Sequence, residues 1–367
     1  MKERMNLRIP GPTPLPPDVL AAVGQQMISH RGPEFEAMFR EISAWLKIFF
    51  ETDNDVYILT SSGTGGMEAA IVNTLSPGDR VLGVSVGVFG DRFIEIAQAY
   101  GADVTQLCFP LGQAAEPALV GARVAEAQGE QRPYRAVLLT QNETSSGVTN
   151  DVEALSAAIR AAADPAPLIL VDGISGLAAI RLQSDIWGCD VVVAGSQKAW
   201  MAPPGIAMIS FSPRAWEAYA RAKMPRFYFD LGQARKHAAR NQTPATPAMS
   251  VLYGLHVSLK QMVSEGLEAA VARHQRIGDY CRAGIVKLGF SLFADPAHYS
   301  NTVTAVTLKE GLNAGKLEAD LRTRYGIIVG SSKAAGLGMI RIGHMGYVRE
   351  ADLEQVFDAL EELTANS

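Results

Sequence analysis

A lysine in an apolar setting is the first residue of this sequence that could do covalent chemistry. Lys198 lies in the segment DVVVAGSQKAWMAPPGIAMI, residues 190–209, whose only other charged residue is Asp190. Burial disfavours the ammonium form of a lysine and lowers its pKa, so that the neutral amine becomes available as a nucleophile. A lysine whose ammonium extends into solvent is the alternative. Lys198 alone leaves both interpretations open.

A carboxylate closes a second apolar run. Asp172 ends the run LILVD, residues 168–172, and stands 26 residues before Lys198. A buried aspartate is costly unless it meets a cation. A helix N-cap or an ordinary salt bridge would also account for it. Asp172 is therefore a candidate partner for a cationic group of a ligand.

Residues that suit an anion follow the run VYILT, residues 56–60. Ser62, Gly63 and Thr64 begin the segment SGTGGMEAA, in which small residues lead directly into a helical pattern. Backbone N–H groups at such a helix start can bind a phosphate, and a glycine-rich turn without a ligand has the same composition. The spacing differs from the G-x-G-x-x-G of dinucleotide-binding proteins, which argues against a nicotinamide dehydrogenase.

Two other apolar runs also end in residues that could contact a ligand. Phe89 follows RVLGVSV, residues 80–86, and Thr144 lies in the polar cluster QNETSSGV after AVLLT, residues 136–140. Ordinary packing and ordinary loop composition explain each of them singly. Together, a phosphate site, a stacking ring, an acid and a desolvated lysine are what pyridoxal phosphate requires, because a lysine binds that cofactor covalently and an aspartate keeps its ring nitrogen protonated.

The elements that must position these residues alternate between strand and helix patterns. Short apolar runs at 56–60, 80–86, 136–140, 168–172, 190–195 and 206–211 are separated by helical segments. Strands that are apolar on both faces and spaced by helices are typical of a parallel sheet covered on both sides. Ligands bind such sheets at the carboxyl ends of the strands, where the candidate residues stand.

The order of the patterns along the chain predicts an α/β protein with two domains and an N-terminal arm. The arm covers residues 1–16 and lies outside the sheet. A large domain, residues 17–255, holds a mostly parallel central sheet flanked by helices. A long helical stretch over 247–288 leads into a smaller C-terminal α+β domain, residues 256–367, with strands near 301–308, 326–330 and 339–344 and a last helix over 350–363.

Composition excludes several functions. The 367 residues carry a net charge of −5, and the sequence pI is about 5.8, so no basic surface for nucleic acid or an anionic membrane is expected. No run approaches the roughly 18 apolar residues of a membrane span, and the N-terminus lacks the apolar core of a signal peptide. The three cysteines, Cys108, Cys189 and Cys281, lack the spacing of a metal site. We expect a cytoplasmic protein without a metal.

The sequence resembles the class V aminotransferases of fold type I, and in particular their alanine–glyoxylate and serine–pyruvate branch. The similarity covers essentially the whole chain. The resemblance implies that Lys198 binds pyridoxal phosphate covalently and moves the substrate proton, and that Asp172 pairs with the ring nitrogen. It also implies that Ser62, Gly63, Thr64 and Gln197 bind the phosphate. The segments that carry it are PGPTPLPPDVL, SGTGGMEAA, ETSSGV, VDGISG, GSQKAWMAPPG, TPATP and IRIGHMG.

The resemblance also implies a homodimer with the active site at the subunit interface. Thr243 and Thr246 would reach the phosphate from the partner subunit. Arg341 would grip the substrate carboxylate beside the backbone of Gly11, and Thr144 would lie near cofactor and substrate. Two positions depart from relatives: Phe89 replaces a tryptophan at the stacking position, and Gln141 replaces a histidine.

The resemblance implies transfer of an amino group from a small L-amino acid, alanine or serine, to glyoxylate or pyruvate by a ping-pong mechanism. No second arginine stands out as a partner for a side-chain carboxylate, which favours these donors over aspartate. The alternatives are an aspartate-type transaminase and a class V lyase similar to cysteine desulfurase. Such a lyase needs a reactive cysteine on a late loop, whereas Cys281 lies in a helical pattern. A catalytically silent scaffold that binds pyridoxal phosphate or a nucleotide is a further alternative.

Overall fold

A computed structural model describes residues 5–332 and 338–364 of the chain. Its strands are β1 (Asn6–Arg8), β2 (Val56–Thr60), β3 (Arg80–Ser85), β4 (Asp103–Cys108), β5 (Ala136–Thr140), β6 (Asn142–Glu143), β7 (Val148–Thr149), β8 (Leu168–Asp172), β9 (Val191–Gly195), β10 (Ile206–Phe211), β11 (Ser291–Leu292), β12 (Val303–Thr307), β13 (Ile327–Ser332) and β14 (Met339–Gly343). Its helices are α1 (Pro17–Val23), α2 (Pro33–Phe50), α3 (Gly63–Thr74), α4 (Val88–Ala99), α5 (Pro117–Gly129), α6 (Val152–Ala162), α7 (Pro213–Tyr219), α8 (Leu231–Ala238), α9 (Met249–Glu265), α10 (Leu267–Lys287), α11 (Ala314–Tyr325) and α12 (Glu350–Thr364), with a 3₁₀ turn at Pro296–His298.

The larger sheet has seven strands in the order β2-β10-β9-β8-β5-β3-β4. The pairs from β9 to β4 are parallel, and β10 runs antiparallel to both of its neighbours. The β9–β10 connection, residues 196–205, contains no helix, and a parallel crossover needs a longer one. The mostly parallel sheet predicted from the sequence is confirmed.

Helices cover this sheet on both faces, because successive residues of each strand point to opposite sides. On β5, Val137 and Leu139 pack in the cluster that contains α2, and Leu138 packs in the cluster that contains α3. Every residue of β5, β8, β9 and β10 is buried. The long apolar runs of these strands therefore reflect burial on two faces. The edge strand β4 was not predicted from the sequence, because it mixes polar and apolar residues that are all exposed or half-exposed.

A second sheet has the order β1-β13-β14-β12-β11 and contacts α10 and α11. The N-terminal segment lies outside the larger sheet and supplies β1 to the smaller one, a pairing that was not predicted from the sequence. Asn6–Arg8 pair in parallel with Ile327–Val329, and the Asn6 N–H donates to the Gly326 carbonyl at 2.9 Å. An edge strand offers unpaired backbone groups that a short extended segment can satisfy.

The predicted domain boundary at residue 255 falls within α9, and Gly266, with φ of +85°, separates α9 from α10. The division into domains stays a prediction. In the described part of the chain, none of the helices combines the length and the apolar character that crossing a membrane requires.

Candidate active site

The carboxyl ends of β2, β3, β5, β8 and β9 surround a cavity of about 140 Å³ that is partly open to solvent. Eight residues predicted from the sequence line it together, as the position of the loops after parallel strands requires. Four others, Met67, Arg92, Ile174 and Ser175, were not predicted. The eight are Ser62, Gly63, Thr64, Phe89, Thr144, Asp172, Gln197 and Lys198.

Lys198 follows β9 and is half-buried against the cavity. Its ammonium donates a hydrogen bond to the Pro10 carbonyl of the N-terminal segment. Burial, with a smaller contribution from the positive charges of Arg341 and Arg92, lowers the pKa of Lys198 to about 8 against the opposing effect of Asp172. Lys198 therefore faces the site instead of extending into solvent, and a substantial fraction is neutral near pH 8.

Asp172 ends β8 and is almost completely buried. Its Oδ1 accepts a hydrogen bond from the Ile174 N–H at 2.9 Å. Burial raises the pKa of Asp172 to about 7, and Lys198 and Arg92 only partly oppose this effect. Within residues 5–332 and 338–364, no cationic side chain forms an ion pair with it at 4.0 Å or less. A protonated ring nitrogen would supply the missing charge.

The glycine loop begins α3 with Ser62 as the residue before the helix. Ser62 makes no capping hydrogen bond with its side chain, so its hydroxyl is left for a ligand. A Cβ at Gly63 would lie 2.5 Å from Ile174 Cδ1, so packing requires glycine there. The Gln197 Oε1 is buried and finds no hydrogen-bond partner among the described residues. These groups fit a phosphate, since a half-turn of the Gln197 amide presents its N–H groups instead.

Glu143 holds the stacking position in place and was not among the residues predicted from the sequence. The completely buried Glu143 accepts hydrogen bonds at Oε2 from the N–H groups of Phe89 (2.9 Å) and Gly90 (3.3 Å). Its Oε1 accepts from the Ser145 N–H at 3.0 Å. The bonds from Phe89 and Gly90 satisfy free N–H groups at the start of α4. Because Glu143 belongs to the polar cluster quoted from the sequence, its position was available as a signal.

Arg341 and Gly11 reach the site from the two ends of the chain. Arg341, on β14, donates from Nη1 to the Thr144 carbonyl (3.2 Å) and from Nη2 to the Ser331 carbonyl (3.1 Å). Burial lowers the pKa of Arg341, and the charge of Glu143 opposes this effect. Gly11 has φ of +122°, and a Cβ there would lie 2.7 Å from Lys198 Nζ, so only glycine fits.

Thr243 and Thr246 do not line the cavity of this single chain. The Thr243 hydroxyl donates to the Ala245 carbonyl at 2.8 Å, and Thr246 is exposed. Their expected role involves a second subunit and stays a prediction. Gln141 also points elsewhere, since its amide donates to the Arg181 carbonyl at 3.0 Å. The described residues contain no group of three or more His, Cys, Asp or Glu side chains that could hold a metal ion.

The site combines a lysine among apolar residues, a buried acid and a glycine loop. They lie at the strand ends of a sheet that helices cover on both faces, which is the arrangement of an enzyme of fold type I. The profile of the family described as Aminotransferase class-V matches residues 6–356. The chain belongs to this family, which confirms at family level the transaminase and the fold expected from the sequence.

Individual relatives share this scaffold over nearly their whole length. The "Soluble hydrogenase, small subunit" of Synechococcus sp. (strain PCC 6716) is 41% identical over 100% of this chain and 94% of its own. The L-aspartate–glyoxylate aminotransferase of Paracoccus denitrificans is 38% identical over 94% and 87%. The alanine–glyoxylate aminotransferase structure from Nostoc sp. has a TM-score of 0.92 at 29% identity over 99% and 96%. Because the names of these relatives give different activities, the substrate of this chain has to be argued from its own site.

Proposed function

We propose that the chain uses pyridoxal phosphate to move an amino group from a small L-amino acid, alanine or serine, to glyoxylate or pyruvate. The observation that carries the proposal is the position of Asp172 and Lys198. They stand at the ends of the neighbouring strands β8 and β9, in one cavity with the glycine loop. The alternative donor, aspartate, is supported by the name of the Paracoccus relative.

The residues fit this cofactor in three separate ways. Asp172 is a buried acid without an ion-pair partner among the described residues, and it would hold the ring nitrogen. Gln197 and the start of α3 would bind the phosphate, and Phe89 would cover one face of the ring. When bound, pyridoxal phosphate supplies an electron sink that weakens the Cα–H bond of the substrate.

The proton is moved by Lys198. Its amine is neutral above a pKa of about 8, so it can take a proton as general base and return it as general acid. Arg341 would bind the substrate carboxylate. The two carbonyls that accept from Nη1 and Nη2 hold the plane of its guanidinium, and its buried Nε finds no partner in the described part of the chain. A fixed planar fork suits bidentate binding of a carboxylate.

The test is a half-reaction followed by visible absorption. The purified protein with pyridoxal phosphate should be yellow and should lose this colour when L-alanine or L-serine is added without a keto acid. Lys198→Ala should abolish turnover while the protein stays folded. Lys260→Ala, at an exposed position of α9, is the matched control. A protein that stays colourless with the cofactor, or a Lys198→Ala variant with near-normal turnover, would contradict the proposal.

The lyase alternative receives less support from the cysteines. Cys281 and Cys189 are buried, and burial raises the pKa of each thiol to about 12, which disfavours a nucleophilic thiolate. Cys108 is exposed on the edge strand β4. None of these positions is a loop late in the chain.

A homodimer in the cytoplasm is part of the proposal. Phe227 and Tyr228 are 93% and 54% exposed, and the next residue, Phe229, lies against the glycine loop, where a Cβ on Gly65 would be 2.9 Å from its Cζ. An exposed aromatic pair beside a site suits a protein interface. A second copy would cover this pair and bring its own Thr246 to the phosphate. The free cysteines are usual in a reducing compartment.

A further inference from the structure

Arg92 is an arginine of the cavity lining that the mechanism above does not use. It lies on α4 one helical turn after Phe89 and lines the cavity with Asp172 and Lys198. Its guanidinium carbon stands 4.8 Å from the centre of the Phe89 ring. Stacking on an aromatic face holds the guanidinium in a fixed plane and leaves its N–H edge available for an anion.

No acceptor in residues 5–332 and 338–364 takes a hydrogen bond from Arg92. The acids around it are engaged elsewhere: Asp91 accepts from the Ser85 hydroxyl at 2.6 Å, and Glu143 accepts from the Phe89 N–H at 2.9 Å. Asp172 accepts from the Ile174 N–H, and the charge of Arg92 lowers the pKa of its carboxylate. A half-buried guanidinium without an acceptor is unfavourable unless an anion meets it.

The two arginines of the site differ in how they are engaged. Arg341, on β14, already donates to two backbone carbonyls, whereas Arg92 stacks on the ring of Phe89 and makes no hydrogen bond or ion pair among the described residues. Both are close enough to Lys198 for their charges to act on its amine. The charges of two cationic groups that come from different elements therefore act at the place where Lys198 would hold a donor.

We propose that Arg92 binds the side-chain carboxylate of an acidic donor, so that the site accepts a four-carbon dicarboxylic amino acid, L-aspartate, besides small neutral ones. This inference rests on the proposed transamination. It also corrects the expectation from the sequence that no second arginine is available to pair with a side-chain carboxylate. Arg341 takes the α-carboxylate and Arg92 the distal one, and the specificity for acidic over neutral donors is set by Arg92.

The first experiment compares donors in the half-reaction of the holoenzyme. The ratio of kcat/KM for L-aspartate to that for L-alanine is measured in the wild type, Arg92→Gln, Arg92→Lys and Arg322→Gln. Arg322, exposed on α11, is the matched control for loss of one positive charge. We expect the ratio to fall at least about 30-fold in Arg92→Gln, less in Arg92→Lys and not in Arg322→Gln, since a charge-assisted pair contributes that order of selectivity.

The second experiment uses binding without turnover. Calorimetry of the holoenzyme with succinate and with butyrate should show tighter binding of succinate in the wild type, and this preference should be lost in Arg92→Gln. Equal loss of both donors in Arg92→Gln, with release of the cofactor, would make Arg92 a cofactor ligand and overturn the proposal.

The remaining outcomes separate this proposal from the proposed function. A wild type that reacts with alanine but not aspartate, and that binds succinate no better than butyrate, overturns the role of Arg92 and leaves the transamination intact. If neither donor reacts, the transamination fails. Succinate binding then decides alone: a preference that depends on Arg92 supports the anion site, and the lack of one refutes it.

Discussion

At the scale of single residues, burial shifts the acid and the amine of the site in opposite directions. It raises the pKa of Asp172 to about 7 and lowers the pKa of Lys198 to about 8, because in both cases the charged form loses its hydration. Each group thus titrates close to neutral pH in the protein without cofactor. A lysine poised in this range suits proton transfer.

Asp172→Asn should stabilise the cofactor-free protein while lowering activity. The folded-state pKa of Asp172 lies above its unfolded value of 3.8, so its contribution to stability is full below about pH 4 and is lost as the pH rises through about 7. As the pH rises from about 4 to about 7, the free energy of unfolding of the variant should therefore increase relative to that of the wild type, by at most about 4 kcal/mol. Turnover should fall at least about 100-fold, because the charge opposite the ring nitrogen is removed.

Urea unfolding of the cofactor-free proteins at pH 5 and pH 8 checks this prediction. Asp358→Asn, at an exposed position on α12, controls for the loss of one carboxylate. A difference between Asp172→Asn and the wild type that is the same at both pH values would show that Asp172 is not the cause.

The lowered pKa of Lys198 should also be visible in the rate of cofactor uptake. The cofactor-free protein mixed with pyridoxal phosphate should develop its visible absorption faster as pH rises, and the rate should level above about pH 8, because the neutral amine reacts. Stopped-flow absorption over pH 6–10 measures this, with N-acetyl-lysine as the reference amine. A rate that is still rising steeply at pH 10, as for an exposed lysine, would contradict the lowered pKa.

At the scale of elements, one buried carboxylate holds the start of α4 to the polar cluster after β5. Glu143 accepts from three backbone N–H groups, those of Phe89, Gly90 and Ser145. Since Phe89 and Arg92 both lie on α4, this contact sets where the ring and the second arginine stand. The chemistry of the site thus depends on a residue that does not line the cavity.

Glu143→Ala should destabilise the protein by about 2–4 kcal/mol, because it leaves three backbone N–H groups without an acceptor. Glu143→Gln should cost less, since its amide oxygen can still accept. Urea titration gives both values, and Glu153→Ala, exposed in the first turn of α6, is the control. A Glu143→Ala protein within about 0.5 kcal/mol of the wild type would show that solvent replaces the carboxylate.

The strands that were not predicted from the sequence were overlooked for one physical reason. The core strands were found because burial on two faces demands long apolar runs, as in β5 and β8. The edge strand β4 mixes polar and apolar residues that are all exposed or half-exposed, and β1 has three residues, so neither has a strong apolar signal. The antiparallel direction of β10 follows from a connection too short for a crossover, which its composition does not reveal.

At the scale of the whole molecule, the site draws on both ends of the chain. Pro10 contacts Lys198 through its carbonyl, and Arg341 reaches Thr144 from the second sheet. The pairing of β1 with β13 brings these parts together. A truncation that removes the N-terminal strand would therefore disturb the contact between the Pro10 carbonyl and Lys198.

Phe227→Asp should weaken the proposed dimer and make activity depend on protein concentration. A charge on the exposed aromatic pair would have to be buried when a second copy covers it, which is unfavourable. Analytical ultracentrifugation and activity across a dilution series measure the effect. Ile186→Asp, at another apolar position that is 75% exposed, is the control. A Phe227→Asp protein that dimerises like the wild type would place the interface elsewhere.

The sequence by itself determined the class of the protein, the parallel sheet and most residues of the cavity, because strand ends of such a sheet meet at one edge. The family resemblance also pointed to Arg341 and Gly11, whose roles in substrate binding stay predictions. Only the tertiary structure revealed Arg92 and Glu143 as parts of the site. Their roles depend on which side chains face each other across β3, β5 and α4, and a distance between elements leaves no trace in local spacing. From the sequence, a charged residue such as Arg92 is expected on the exposed surface of a helix. Only the fold shows that it lines the same cavity as Lys198 and Asp172.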